Sequence, residues 1–298
     1  MEFSRRKLLT ILGSTPLLSI PELTLAAPQR RVLRIAYFTD THLPATDFIN
    51  DRARKAFKMA NSCDLILFGG DNVMAVDHKS EEQIVAQYKN WRQFTKTMVK
   101  KPWRTILGNH DIEMWSDKDL TPMNGKKRPL EFYGMKNRYW VEKFGNWRII
   151  GLDTVQRARE NYFGYIDKEQ MTWLKGVLND RKTPTLVCGH MPLLSVTPLA
   201  DTTVQARPFS MPVSFSTEVS NARDVIKLFR QAGNVKLCLS GHTHMVDRCD
   251  FAGTSYICGG AVCGAWWNGA HQGFEPSFTQ VDLHSNGTFD VKTIVWGS

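Results

Sequence analysis

The chain has 298 residues, of which 42% are apolar and 22% are charged. This composition is typical of a globular protein and argues against wholesale disorder, and the length suits one large α/β domain or two small ones. No apolar stretch approaches the roughly 20 residues that a membrane-spanning helix needs. The net charge of +9 favours anionic ligands. Because no tract interleaves basic and aromatic residues, a nucleic-acid partner is not expected.

Residues 1–27 have the order of an export signal, which is basic, then apolar, then small. Arg5 and Arg6 stand directly before the apolar run, and paired arginines in that position match the twin-arginine variant. The alternative is an amphipathic first helix, which a glycine and a proline within the run would interrupt. We therefore expect an exported, periplasmic protein in which residues 28–298 form a single domain.

Five short β-prone runs recur along the chain, and each leads into a polar motif. The runs are residues 32–38, 65–68, 105–107, 185–188 and 235–239. The motifs that follow them are Asp40-Thr41-His42, Gly70-Asp71-Asn72, Gly108-Asn109-His110-Asp111, Gly189-His190 and Gly241-His242-Thr243-His244. Short apolar runs of this length are typical of buried strands. Because ligands of α/β sheets bind at the carboxyl ends of strands, we expect the motifs to share one site.

Helical patterns fill the gaps between the predicted strands. Ser80 can cap a helix that runs to about Val99, and Asp167 starts the next one. Asn221 is expected to cap a third helix, which stops near Gly233. Strands and helices that alternate in this way predict a layered α/β fold.

The end of the chain, residues 245–298, changes to short alternating runs. Asn286-Gly287 between two of these runs is a strong hairpin signal. We interpret the segment as a β-rich edge that completes a second sheet and belongs to the same domain. Two polar segments, 116–128 and 194–219, follow metal motifs directly and are interpreted either as lids or as surface excursions.

The residue types in the motifs suit a pair of divalent cations. Imidazole and carboxylate together favour Mn, Fe or Zn, and a carboxylate can bridge two cations through its two oxygens. Two carboxylates against two divalent ions leave a positive centre that attracts an anion. Each histidine alone would more often be an ordinary polar residue, but seven candidate ligands at strand ends are not explained in that way.

Six cysteines are present, and none has the Cys-X-X-Cys spacing of a zinc or redox motif. Cys188 and Cys238 lie in predicted strands and are interpreted as packed thiols. Cys249, Cys258 and Cys263 are close in sequence, so one disulfide among them is an open alternative in an oxidising compartment.

These five motifs, in this order, resemble the calcineurin-like metallophosphoesterase superfamily from about residue 34 to residue 244, and the β-rich tail is included. The resemblance implies a four-layer α-β-β-α sandwich, in which two facing mixed sheets are flanked by helices. It also implies a centre of two divalent metal ions. By resemblance the first metal is bound by Asp40, His42 and His244, the second by Asn109, His190 and His242, and both by the bridging Asp71.

The activity that the resemblance implies is hydrolysis of phosphomonoesters or phosphodiesters by a hydroxide held between the metals. His110 is similar to the family's non-ligand histidine and is expected to donate a proton to the leaving oxygen. Asp111 would orient the His110 ring or, alternatively, cap the following segment. A phosphodiesterase specific for cyclic nucleotides or phospholipid head groups is a narrower alternative.

The segment 259–269 resembles a stretch in secreted bacterial members of the superfamily. Trp266 and Trp267 would line the substrate pocket or stack on a ring, unless they only cover the sheet edge, and His271 is a further candidate for substrate contact. A non-catalytic metal-binding scaffold is the alternative of another class, although such members tend to lose ligands that this chain retains. A small phosphoester is the expected partner, and the sequence indicates no oligomeric state.

Overall fold

The computed structural model describes residues 30–113, 121–158, 161–202 and 216–297. The predicted export signal, residues 1–27, lies outside these ranges, and so do 116–120 and 203–215 of the two predicted loop segments. Within the described ranges, no helix is both long and apolar enough to cross a membrane.

The described part of the chain contains thirteen strands and six α-helices. Strands β1 to β13 are Arg31–Phe38, Leu65–Phe68, Trp103–Thr105, Trp140–Phe144, Trp147–Gly151, Val155–Ala158, Asn161–Gly164, Thr185–Cys188, Val235–Ser240, Val246–Phe251, Thr254–Gly259, Ser277–His284 and Phe289–Val295. Helices α1 to α6 are Asp47–Ala60, Glu81–Met98, Lys127–Tyr133, Lys168–Leu178, Thr197–Ala200 and Ala222–Ala232. A short 3-10 turn spans Asn109–Asp111.

Two large mixed sheets contain eleven of these strands. The first has the order β13-β12-β1-β2-β3, and the second has the order β10-β11-β9-β8-β5-β4. In the first sheet β1, β2 and β3 run parallel, whereas β1 pairs antiparallel with β12 and β12 pairs antiparallel with β13. In the second sheet β11, β9, β8 and β5 run parallel, and β10 and β4 pair antiparallel at the two edges. Strands β6 and β7 form a separate antiparallel hairpin.

The period-two alternation of buried strands separates the core into layers. In β1, Ile35 and Tyr37 pack in the cluster between the two sheets, whereas Ala36 and Phe38 pack against α1 and α2. Phe38 meets Phe57 of α1 edge to face, with ring centroids 5.0 Å apart. This alternation places one helical layer outside the first sheet.

A third cluster covers the outer face of the second sheet. Ile150 of β5 and Val187 of β8 pack there with Leu174 of α4 and Phe229 of α6. The layers therefore run helix, sheet, sheet, helix, and the predicted four-layer α-β-β-α sandwich is confirmed.

The predicted cap at Ser80 and the predicted helix start at Asp167 are confirmed, and the predicted cap at Asn221 is wrong. The Ser80 hydroxyl accepts from the Gln83 backbone N–H at 3.3 Å, and the Asp167 carboxylate accepts from two backbone N–H groups of α4. Asn221 precedes α6, but its side chain bonds the backbone N–H and carbonyl of Ile166. Its amide therefore joins α6 to the segment before α4 and does not cap the helix.

The sequence predicts that the β-rich tail completes a second sheet, but the tail contributes strands to both sheets. Strands β10 and β11 extend the second sheet, whereas the hairpin β12-β13 lies in the first, where β12 pairs with β1. The tight turn at Asn286-Gly287 is confirmed, with Gly287 at φ +81°. The tail crosses between the sheets because its two hairpins pair with different neighbours.

The cysteines are all free thiols, so the disulfide considered among Cys249, Cys258 and Cys263 is not formed. Cys188 and Cys238 are buried in strands, as predicted, and burial raises the pKa of both thiols.

Candidate metal centre

The polar motifs meet at one end of the two sheets, and backbone hydrogen bonds join their loops. The N–H of Asp40 donates to the carbonyl of Gly70, and the N–H of His42 donates to that of Asp71. Across the two sheets, the N–H of Cys263 donates to the carbonyl of Asp40. The structure therefore brings all five predicted motifs to one place.

Five of the seven candidate ligands have a left-handed backbone, which non-glycine residues rarely adopt. Their φ angles are +53° at Asp40, +40° at His42, +53° at Asp71, +72° at His242 and +58° at His244. Such conformations cost about 1–3 kcal/mol each and concentrate at functional sites. The fold therefore stabilises these left-handed conformations, which direct the five side chains toward the centre of the cluster.

Glycines in the same motifs leave room for the two carboxylates. A Cβ atom added at Gly108 would overlap the carboxylate of Asp71, and one added at Gly241 would overlap that of Asp40. The close approach of one loop to the next explains why the motifs pair a glycine with a ligand.

Each of the four candidate histidine ligands places one ring nitrogen against a backbone carbonyl. The pairs are His42 Nδ1 with Met74 at 2.9 Å, His190 Nδ1 with Gly69 at 2.9 Å, His244 Nδ1 with Gly264 at 2.7 Å and His242 Nε2 with Ser216 at 2.7 Å. Because a carbonyl only accepts, these nitrogens carry the proton, and in the neutral ring the opposite nitrogen is a bare acceptor. Metal-bound histidines are held in this way.

The atoms that face the middle of the cluster are consequently acceptors. His42 Nε2 and His244 Nε2 are 3.2 Å apart. His190 Nε2 is 3.2 Å from Asp71 Oδ2 and 3.1 Å from Asn109 Oδ1. Lone pairs at these distances repel one another unless a proton or a cation lies between them, so the donor set fits bound cations.

The Asp71 carboxylate lies between two groups of candidate ligands. Its Oδ2 is 3.6 Å from His42 Nε2 on one side and close to His190 on the other. One group of ligand atoms within 4.8 Å of one another contains Asp40, His42 and Asp71, and another contains Asp71, His190 and His242. His244 Nε2 joins the first side, 3.4 Å from Asp40 Oδ1. This arrangement suits two divalent cations with Asp71 between them.

Cys263 also lies beside this centre, which the sequence did not indicate. Its thiol forms a group with His42 and His244, and it is 3.9 Å from His244 Nδ1. The sulfur therefore lies on the side of the His244 ring that bonds Gly264. Only the fold reveals this neighbour, because the cysteine has no motif of its own.

The electrostatics of the cluster keep the carboxylates charged. Burial raises the pKa of Asp40, but the charge of His244 and its hydrogen bond outweigh that effect and lower the pKa to about 2. Burial lowers the pKa of His42 and of His242 to about 4. Burial also opposes the charge on His190, yet Asp71 raises its pKa to about 9. In the metal-free protein, protons therefore occupy part of the space that cations would take.

His110 lies beside the ligands, with its ring centroid 5.2 Å from that of His42. Its Nδ1 is 3.1 Å from Asp77 Oδ1. Burial lowers the pKa of His110, but Asp71 and Asp77 together raise it above its usual value. The two carboxylates therefore favour the charged form of His110, and Asp77 holds its ring.

The prediction that Asp111 orients the His110 ring is wrong. The Asp111 carboxylate is fully buried and accepts from the backbone N–H groups of Gly108 and Asn72, each at 2.9 Å. It also accepts from the Tyr133 hydroxyl at 2.7 Å. A cap of the following segment would accept from backbone N–H groups after Asp111, but the backbone N–H groups that donate to it come before it in the chain. Asp111 therefore does not cap the following segment either. It joins the loops after β2 and β3.

The two adjacent tryptophans have different environments. Trp266 is 43% exposed, and its ring centroid lies 4.5 Å from that of His244. Trp267 is buried against Trp296, and its Nε1 donates to the carbonyl of His42 at 3.0 Å. The prediction that Trp267 lines the substrate pocket is therefore wrong, because its indole supports a ligand loop from behind.

Two further rings lie at the rim of the centre. His271 is 5.5 Å from His244 and 5.8 Å from Trp266, measured between ring centroids. Tyr162 of β7 meets the His242 ring edge to face at 5.8 Å. Tyr162 was missed in the sequence because it belongs to no motif, and the β6-β7 hairpin brings it to the site only in the folded chain.

Two facing sheets with carboxylate, amide and imidazole ligands gathered at one end define a class of metal-dependent phosphoester hydrolases. The family model described as calcineurin-like phosphoesterase matches residues 33–246, so the chain belongs to this family. It is a metal-dependent hydrolase of phosphoesters and a member of a dimetal class of enzymes.

The chain is similar to named phosphodiesterases of two cyanobacteria. A probable cyclic nucleotide phosphodiesterase from Synechococcus is 28% identical over 223 residues, which cover 71% of this chain and 73% of the relative. A 3′,5′-cyclic-nucleotide phosphodiesterase from Nostoc is 24% identical over 277 residues, which cover 87% and 91%. The crystal structure of a dimetal phosphatase from Danio rerio has a TM-score of 0.60 at 14% identity and covers 90% of this chain and 100% of that one. This last likeness concerns the fold alone.

Proposed function

We propose that the protein is an exported dimetal phosphodiesterase. In this proposal Asp40, His42 and His244 would hold one cation, Asn109, His190 and His242 would hold the other, and Asp71 would be shared between the two groups. The observation that carries it is the set of inward-facing ligand atoms, whose lone pairs repel one another unless protons or cations lie between them. Zn, Mn and Fe all suit this mixture of imidazole and carboxylate, and the choice among them is open to metal analysis.

Two bound cations would supply a strong nucleophile from water at neutral pH and positive charge for the phosphoryl oxygens. The chain's own contribution is to orient the ligands through their carbonyl partners and to provide a proton for the leaving oxygen. His110 suits this second role because Asp77 holds its Nδ1 and leaves Nε2 for the substrate.

Cyclic nucleotides are the first candidate substrates, because two relatives carry that activity in their names. A second candidate is a phospholipid head group or another extracytoplasmic diester. It is favoured by the leader-like residues 1–27, since an exported enzyme meets few cyclic nucleotides.

The catalytic proposal is tested with protein purified in the presence of Mn²⁺. Hydrolysis of bis(p-nitrophenyl) phosphate, p-nitrophenyl phosphate, 3′,5′-cyclic AMP and glycerophosphocholine is measured with and without a chelator. We expect chelator-sensitive hydrolysis, with diesters preferred, and two metals per chain by elemental analysis. Activity on the monoester alone would contradict the diester preference. Bound metal without any hydrolysis would favour the non-catalytic scaffold.

Export is tested by fractionating cells that produce the whole chain with either its own leader or the double variant Arg5→Lys, Arg6→Lys. The natural chain should reach the periplasm, and the variant should stay in the cytoplasm. Equal export of both would contradict the twin-arginine route, and cytoplasmic retention of both would contradict export.

A further inference from the structure

Two aromatic side chains flank the candidate metal centre, one at each group of ligands. The Trp266 ring is 4.5 Å from the His244 ring, with an interplanar angle of 33°, and 5.9 Å from the His42 ring. The Tyr162 ring is 5.8 Å from the His242 ring at 84°. His42 and His244 belong to one side of Asp71, and His242 belongs to the other.

Both side chains offer a hydrogen-bond donor that the protein does not use. Within the described residues, neither the Trp266 Nε1 nor the Tyr162 hydroxyl has a hydrogen-bond partner. The neighbouring Trp267 differs, because its Nε1 donates to the His42 carbonyl. Tyrosine and tryptophan usually satisfy these groups when they are packed away from solvent. No other described residue therefore competes with a bound molecule for these two donors.

The conformation of Trp266 is held by its turn. Its φ is +48°, in the left-handed region that is costly for an aromatic residue. The turn is closed by the N–H of Ala265, which donates to Gly269, and by the N–H of Trp267, which donates to Cys263. Since burial of Trp267 stabilises this turn, the exposed Trp266 ring is kept over His244 without being packed in the core.

A phosphodiester has the chemistry that two such flanks would recognise. It carries two organic substituents on phosphorus, whereas a monoester carries one. Aromatic faces stack on planar rings, and the indole N–H and phenol O–H can donate to oxygen or nitrogen atoms of those substituents.

We propose that Tyr162 and Trp266 are specificity-determining residues, which hold the two substituents of a phosphodiester on either side of the phosphorus atom. This inference rests on the proposed function and deepens it. It assigns the choice of diester over monoester to two side chains that bind no metal. It also favours substrates in which at least one substituent is a planar ring.

The test compares Trp266→Ala and Tyr162→Ala with the wild-type enzyme, all loaded with Mn²⁺. The substrates are bis(p-nitrophenyl) phosphate, which has two aryl groups, and p-nitrophenyl phosphate, which has one. Each variant should raise the KM for the diester about tenfold or more while kcat stays within about threefold. Only one of the two variants should raise the KM for the monoester, because its single aryl group contacts either Trp266 or Tyr162 and not both.

Control variants separate substrate contact from folding. Phe251→Ala removes another exposed aromatic side chain, at the far end of β10, and should leave both substrates unaffected. Trp266→Phe and Tyr162→Phe keep the rings and should restore most of the diester KM, and they also replace any alanine variant that fails to fold. Metal content should equal that of the wild type in every variant.

Three results would overturn this inference. They are an unchanged diester KM in both alanine variants, an equal loss on monoester and diester in both, or a loss of bound metal. The last two would mean that the rings act through the ligands. A wild-type protein that hydrolyses neither substrate would instead contradict the proposed function, so the two failures can be told apart.

Discussion

Two clusters of buried charge lie in this protein, and they are balanced in different ways. In the first, the Lys126 ammonium donates to the Asp153 carboxylate at 2.7 Å and to the Val155 carbonyl at 2.6 Å. Arg138 donates to Asp153 at 3.0 Å and to Asp167 at 2.6 Å. Two cations thus meet two anions of the same chain. The metal centre instead directs acceptors toward one another.

The difference shows that buried charge alone does not identify a functional site. Burial lowers the pKa of Lys126, and the charge of Asp153 offsets part of this effect. In the metal centre, charge on the histidines offsets the two carboxylates while no cation is bound. The two clusters are also connected, since Thr154 next to Asp153 accepts from the N–H of Met191, the residue after His190.

The largest expected effect is the loss of the shared ligand. Asp71→Asn keeps the shape of the side chain but removes the charge between the two groups of ligands. We expect bound metal to fall and activity to drop about a thousandfold or more, because charge stabilisation of several kcal/mol is lost. Elemental analysis and kcat/KM on a diester measure both effects. Asp51→Asn on the exposed face of α1 is the matched control, and retained metal in Asp71→Asn would refute the shared role.

His110 should matter for turnover and not for metal binding. We expect His110→Ala to lower kcat about 10²- to 10⁴-fold, with the greatest loss on substrates that have poor leaving groups. Asp77→Asn should cause a smaller loss, because the ring remains but is held less firmly. The measurement is kcat across a series of aryl phosphodiesters at constant metal content. An empty metal site in His110→Ala would show that the histidine is a ligand.

The ion cluster is expected to affect stability and not chemistry. Lys126→Met leaves Asp153 buried with Arg138 alone, which should lower the free energy of unfolding by about 3 kcal/mol. Urea denaturation measures this change, and Lys127→Met, which removes an exposed neighbouring lysine, should have almost no effect. Folded Lys126→Met should bind metal normally. An unchanged free energy of unfolding in Lys126→Met would show that this ion cluster does not stabilise the fold.

The affinity for metal should depend on pH with a defined sign. Asp71 raises the pKa of His190 to about 9 in the metal-free protein, so a proton must leave before the nitrogen binds a cation. As the pH is lowered from about 9, the affinity for metal should therefore fall about tenfold per pH unit for each proton that binding releases. Competition with a chromophoric chelator between pH 6.5 and 9 gives the slope. A flat profile would show that metal binding displaces no proton from the imidazole.

Much of the fold could be predicted because its signals are local. Short apolar runs, helix caps at Ser80 and Asp167 and the Asn286-Gly287 turn all depend on neighbouring residues. The motifs at strand ends carry their own glycines and left-handed positions, so the loops that present the candidate ligands are also encoded locally.

Contacts between residues that are distant in the chain could not be predicted from local signals. The sequence alone determined which residue types end the strands, and with them the class of chemistry. Only the tertiary structure decided that Asp77 holds His110 while Asp111 holds backbone, that Trp266 faces the centre while Trp267 is buried, and that Tyr162 reaches His242. These choices depend on packing between segments that are distant in the chain. No local pattern specifies which of two neighbouring side chains in a turn the fold will bury.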